Sequence, residues 1–379
     1  LTPPMIHGFK SIFDEAHKLC VENDEDNKYL MTFQNFLTRN IERIGFTVIA
    51  LDNALPFDVS NNTKITIYAA DNCDPTICGH MFGCINKDVK GSMQLDSLCV
   101  IEDGDFTIVN TNDCPFEIAE QTLTEVKKNY SEIDFALVGY TSASLYPHCM
   151  MNYNEEEMKI GIQRARLRGL TTAQRTLEIL QPKFYMPFAG TYILGGSNYK
   201  KNQHLPIPEI QDAVEHLQEY ASIQSNPVLL NYNEYFDCEN EDTSSSYVPI
   251  LKEDRSRYIE NVARHFKYNY EDDDYPSDSE IFELIVKAIP RLQRKQLEVG
   301  LFEKICLIFD LPSGSYAVFD LIELKPYQVE CIDDIQNFQR FQLDPRLLKR
   351  ALIGPHMANW NNIEIGAHLN FDRKPDLFR

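Results

Sequence analysis

The sequence predicts an α/β protein with a layered, mixed sheet, followed by a smaller α+β unit. Two observations carry the first part. Runs rich in β-branched residues alternate with segments of helical periodicity from about residue 33 to 223. The early runs lie close enough to form hairpins, whereas the later ones are separated by helices. A third observation carries the second part: past residue 280 the order changes to one helix and then a series of short strands.

Taken in order, residues 9–20 (FKSIFDEAHKLC) and 33–45 (FQNFLTRNIERIG) space their apolar residues as helices do, and Gly45 is a suitable stop. FTVIALDNALPFDV (46–59) and KITIYAA (64–70) read as strands. SLCVIE (97–102) and FTIVN (106–110) flank Asp103-Gly104-Asp105, which predicts a hairpin. A helix follows around 116–129, then the apolar strand IDFALVGY (133–140). Residues 155–180 read as helix, with a break expected near Gly169. KFYMPFAG (183–190) is a strand ending in a Gly-rich turn, and 207–223 is a helix.

CENEDTSSS (238–246) and the acidic YNYEDDDYPSDSE (268–280) show no apolar periodicity. Residues 238–247 and 268–280 are expected to be exposed and mobile, having little to bury against the entropy of ordering. Beyond them come a helix at 281–297, KICLIFD (304–310), a turn at Leu311-Pro312-Ser313-Gly314, then SYAVFDLIEL and QVECI, an expected antiparallel meander. DPRLLKRALIG (344–354) is a short helix with Asp344 as N-cap and Gly354 past its end. The expected division is 1–225, an acidic loop or linker region at 226–280, and the small α+β domain at 281–379.

The 379 residues carry a formal net charge of −21, which repels phosphate backbones and argues against nucleic acid and anionic membranes as partners. No apolar run approaches the ~18 residues of a membrane span, and nothing at the start reads as a signal peptide. Ten cysteines are too few for a disulfide scaffold, so a reducing cytoplasm is expected. The first residue is Leu1 rather than Met, which suggests an upstream segment.

Four places could carry chemistry. Cys73, Cys78, His80 and Cys84 crowd the segment after KITIYAA, where thiolates and an imidazole could ligate zinc, or the cysteines could pack around a turn and leave His80 facing a site. Asp113 follows FTIVN, placed either to bind a metal or to cap the next helix. IDFALVGY empties into Thr141-Ser-Ala-Ser-Leu-Tyr-Pro-His148, a small-residue loop that could line a pocket with Tyr140, Ser142, Tyr146 and His148. His148 could equally be an ordinary neutral histidine beside Tyr146. YMPFAG leads into Thr191-Tyr192 and Gly195-Gly196, with Tyr192 a further candidate for the pocket wall. A further polar and aromatic group, His356, Trp360, Asn361, Asn362, Glu364 and His368, closes the chain.

Each of the four places follows the C-terminal end of an expected strand. Their order resembles the second half of a metallo-β-lactamase-superfamily domain. DGDFTIVNTNDCPF, GYTSASLYPHCM, YMPFAG and HMANWNNIEIGAHLNFDRKP look like the branch that contains CMP-N-acetylneuraminate hydroxylases. The resemblance covers about residues 30–205 and the tail from about 340. It implies an αββα sandwich whose first half lies outside this numbering. It also implies zinc or iron held by His80 and by Asp113, which would also serve catalysis. The implied chemistry is metal-assisted hydrolysis of a small molecule, such as an acylated or activated sugar. The superfamily's His-x-His-x-Asp-His is absent: there are nine His and no two lie within five residues. His204 is a poor substitute for the last ligand. Either a preceding segment supplies the missing ligands, or the chain is a catalytically inactive binding or assembly module. The missing early strands would leave an apolar sheet face to be covered by that segment or by a second chain.

Overall fold

A computed structural model describes residues 38–39, 41–70, 97–111, 114–141, 144–299 and 304–375. The described residues form a mixed α/β structure with two principal sheets. The first has seven strands in sequence order: β1 (Pro56–Asp58), β2 (Thr63–Ala69), β3 (Ser97–Asp103), β4 (Phe106–Asn110), β5 (Phe135–Gly139), β6 (Phe184–Phe188) and β7 (Asn226–Pro227). The first four pair antiparallel, and β4 through β7 are parallel. The hairpin between β3 and β4 turns at Gly104, whose φ of 61° suits a glycine at the first turn position. The expected strand over 46–59 is confined to β1, and residues 46–55 are irregular and largely exposed.

Helices α1 (Glu120–Asn129), α2 (Glu155–Leu180) and α3 (Ile210–Tyr220) supply the crossovers that parallel strands require. They bury Leu123, Leu177 and Leu217 against Leu98, Val100, Val138 and Tyr185 on one face of the sheet. Asn154 starts α2 with a capping box. Its side chain accepts from the amides of Glu156 and Glu157, and Glu157 accepts from the Asn154 amide.

α2 runs unbroken through Gly169, contrary to the expected break. The glycine is there for proximity: a Cβ would lie 2.5 Å from the Tyr140 carbonyl oxygen. The opposite sheet face is also apolar, with Ile65, Ile67, Ile101, Ile108, Leu137 and Met186 in matched register. These residues are only half-buried. Phe135 on that face is buried, and Phe236 of the small hairpin β8 (Phe236–Asp237) and β9 (Asp242–Thr243) packs on it and on Phe184.

After α4 (Lys252–Asn261) and α5 (Asp278–Val299), the second sheet is built from β10 (Cys306–Asp310), β11 (Tyr316–Asp320), β12 (Tyr327–Val329), β13 (Phe338–Leu343) and β14 (Leu369–Lys374). Its order is β12-β11-β10-β13-β14. The expected meander is correct for β10 to β12, but β13 returns parallel to β10. α6 (Pro345–Ile353) and α7 (Trp360–Ile365) complete the unit, with Asp344 capping α6 through the Arg346 amide. This unit grips the loop after β5. The amides of Met151 and Phe371 bond across to the Phe371 and Cys149 carbonyls at 3.0 and 2.9 Å.

The acidic stretch 268–280 is a clasp rather than a free loop. Residues Asn269–Asp272 form a short 3-10 turn that buries Tyr270. Arg350 grips both Asp273 oxygens at 2.5 and 2.7 Å and also bonds Asn269, while Arg346 donates to the Glu271 carbonyl. Arg350 also holds the Asp273 carboxyl below its ordinary range. In the 238–246 stretch, Glu239, Asn240 and Glu241 are exposed. A glutamate-specific protease is therefore expected to cut at Glu239 or Glu241 well before Glu271. Arg350→Ala should speed cleavage at Glu271 selectively; equal rates at both places in the wild type would contradict the clasp.

Candidate functional site

Strand direction sets the candidate site. β2 and β4 are each antiparallel to β3, and β5 and β6 continue parallel to β4. All four therefore end at one edge, at Ala70, Thr111, Tyr140 and Ala189. Loops at the carboxyl ends of strands are where open α/β sheets gather ligands. β2 and β4 are separated only by β3, so their ends lie about 10 Å apart across the sheet. Residues 71–96, 112–113 and 142–143 lie outside the described residues. His80, Asp113, Ser142 and the cysteines of 73–84 fall there, and so does the expected closeness of His80 and Asp113. Among the described residues no three His, Cys, Asp or Glu side chains gather where one ion could be held.

The remaining expected site residues are described. Tyr140 is buried in the first core, its hydroxyl 2.9 Å from that of Thr191. Thr141 donates to the Gly190 carbonyl at 2.8 Å, joining the loops after β5 and β6. A Cβ on Gly190 would enter the Tyr140 ring, so the Gly-rich turn lets that ring close against the strand end. Tyr146 is buried with the second core and meets Tyr153 edge-on. Tyr192 packs against the same core, and burial pushes its hydroxyl up to about 12.

His148 is 5% exposed, and among the described residues neither ring nitrogen has a hydrogen-bond partner. The backbone partner that a buried neutral histidine usually finds is not supplied by the described residues. Burial drives its pKa down to about 4, with Lys201 and His204 adding charge repulsion. It is an uncharged imidazole at neutral pH.

Beside it lies a group of which the sequence singled out only His368. Lys201 donates to the Ala367 carbonyl at 2.6 Å and to the Cys149 sulfur at 3.5 Å. Burial lowers the Lys201 pKa and raises that of the Cys149 thiol, each partly offset by the other. His368 stands 3.4 Å from the Asn198 amide and 3.3 Å from the Tyr270 hydroxyl, with the Tyr268 ring edge-on to it. Burial lowers its pKa too. Its traces in the sequence are His368 in the C-terminal polar and aromatic group and a Lys200-Lys201 pair in a strongly acidic chain. Its partners come from 149, 198, 268, 270 and 367–368, so local spacing could not reveal it. The cluster joins the loops after β5 and β6 to the C-terminal unit, and burial lowers the pKa of each of its nitrogen bases.

No family model matches the chain, and no curated protein matches it by sequence. Among solved structures, it is similar over 50% of its length to CmlA, a diiron β-hydroxylase from Streptomyces venezuelae, at 13% identity and a TM-score of 0.29. It is similar over the same share to a protein from Parabacteroides distasonis provisionally described as a metal-dependent hydrolase, at 13% identity and a TM-score of 0.28. The matches span 35% and 60% of those two chains. Likeness at that level leaves fold family and activity to be argued from this chain. No helix among the described residues is long and apolar enough to cross a membrane.

Proposed function

We propose that the chain is the later part of a metal-dependent hydrolase-type protein with the metallo-β-lactamase αββα sandwich, in the branch resembling CMP-N-acetylneuraminate hydroxylases. The observation that carries this reading is the shared edge. The segments bearing His80 and Asp113 leave the sheet from β2 and β4 at the same side as the loops after β5 and β6. The half-buried apolar face of Ile65, Ile101 and Leu137 supports it further, since a sandwich needs a second sheet against that face. His80 and Asp113 would hold zinc or iron, with remaining ligands from a preceding segment or a second chain. A bound ion would polarise an electrophilic carbonyl or phosphoryl group and activate water. The walls joined by Thr141 and Gly190 would orient a small-molecule substrate, for which an acylated or activated sugar is the class the loop resemblance suggests.

The test is elemental analysis of the full gene product, purified without chelator. One or two equivalents of zinc or iron are expected, falling by at least half in His80→Ala and Asp113→Ala variants that melt as the wild type does. Absence of metal would favour a second reading, an inactive binding or assembly module. That reading has its own support in the missing His-x-His-x-Asp-His. Loss of metal together with fold in Cys73→Ser and Cys84→Ser would instead indicate a structural zinc site.

A further inference from the structure

The second sheet holds an apolar cleft of about 560 Å³ between α5, α6 and α7. Close-packed interiors leave few voids larger than a water molecule, whereas small-molecule sites commonly have volumes of several hundred Å³. Its floor is the stacked trio Phe309, Phe319 and Phe341, with the ring centroids of Phe319 and Phe341 at 6.2 and 5.3 Å from that of Phe309. One wall is α5, where Ile285, Ala288, Ile289 and Leu292 line the cleft over about 10 Å of helix. Ala288 and Ala351 leave the space open, since longer side chains at either position would enter it. Trp360 stands at the rim, 38% exposed, with its ring 6.3 and 6.4 Å from those of Phe309 and Phe341.

The rim is chemically one-sided. Among the described residues its only charged lining residue is Arg291, and none of them places a carboxylate in the cleft. Arg291 is fixed in place by donating to the carbonyls of Leu352 and Ile353 at the end of α6. Those two bonds leave further N–H groups of the planar guanidinium free to donate. Among the described residues Arg291 pairs with no acid, in a chain with 57 acidic residues. The amides of Asn359 and Asn361 also face the cleft.

An elongated apolar cleft with a fixed guanidinium at its mouth matches an apolar chain that ends in a single anion. We propose that this cleft binds a medium-chain fatty acid, with its chain along α5 over Phe309 and Phe341 and its carboxylate on Arg291. This is a site apart from the strand-end edge of the first sheet and does not depend on that edge binding metal. It also gives a role to Trp360 and Asn361 in the C-terminal polar and aromatic group.

Trp360 is the chain's only tryptophan, so its emission reports on this cleft alone. The whole protein should be titrated with decanoate and, separately, with decanol, following tryptophan emission and confirming binding by calorimetry. Decanoate should produce a saturable shift and bind at least tenfold more tightly than decanol. Arg291→Gln should weaken decanoate about ten- to a hundred-fold, as loss of a charged hydrogen bond does, and leave decanol nearly unchanged. Ala288→Leu, checked for a wild-type melting curve, should weaken both by filling the cleft without touching Arg291. Absence of saturable binding of either probe would overturn the proposal. So would equal binding of the two probes, or wild-type decanoate affinity in folded Ala288→Leu.

Discussion

Gly169→Ala is expected to destabilise the protein by about 2 kcal/mol, although alanine is the better helix former by about 1 kcal/mol. The sign is decided by geometry. The added Cβ would sit 2.5 Å from the Tyr140 carbonyl oxygen and 3.2 Å from the Thr141 Cα, both backbone atoms that cannot swing aside. α2 would have to move off the sheet, and Leu170, Ala173 and Leu177 would lose their fit against the first core. Overpacking of this kind typically costs about 1–3 kcal/mol and occasionally more, enough to exceed the gain in propensity. Urea denaturation of the two proteins measures the difference directly. An alanine variant as stable as the wild type would mean that α2 does not approach the end of β5 this closely. Because Tyr140 and Thr141 also hold the loop after β6 through Thr191 and Gly190, the same displacement should loosen the strand-end edge.

Gly169 also shows where a sequence stops being legible. A glycine inside a helical pattern looks like a break, and only the tertiary approach of β5 explains why it is tolerated. Features with local causes were readable. The hairpin at Asp103-Gly104-Asp105 follows from turn chemistry, and the short helix after Asp344 follows from its cap. The acidic stretch 268–280 was misread because what orders it, Arg346 and Arg350, lies about seventy residues away. β13 was missed for a similar reason: FQRFQL shows little polar alternation, and its parallel place beside β10 is set by the crossover rather than by a turn. Of the candidate site, the sequence showed that chemistry-bearing loops follow strands. It could not show that those strands share a direction, nor that Lys201 meets Cys149 and Ala367.

His148 offers the second large effect, as a dependence of stability on pH. In the unfolded chain its imidazole titrates near the ordinary 6.5; in the folded protein it titrates at about 4. Between those values the unfolded chain holds the proton more often than the folded one, so protonation favours unfolding. The contribution is fully present above about pH 6.5, is lost as pH falls toward 4, and is flat below that. A gap of this size corresponds to about 3 kcal/mol in total, of which roughly 2 kcal/mol is lost by pH 5. Other groups also respond to acid, including the Asp273 carboxylate held by Arg350, so the informative quantity is a difference between two proteins. His148→Leu removes two buried nitrogens that have no hydrogen-bond partner among the described residues and puts an apolar group of similar size in their place. Removing unsatisfied polar groups in this way should leave stability at pH 7.5 equal or higher. The variant should then gain about 2 kcal/mol on the wild type as the buffer is taken from pH 7.5 to pH 5. A constant difference across that range would mean that His148 is reached by water or by a hydrogen-bond acceptor, and that its imidazole is not held neutral by burial.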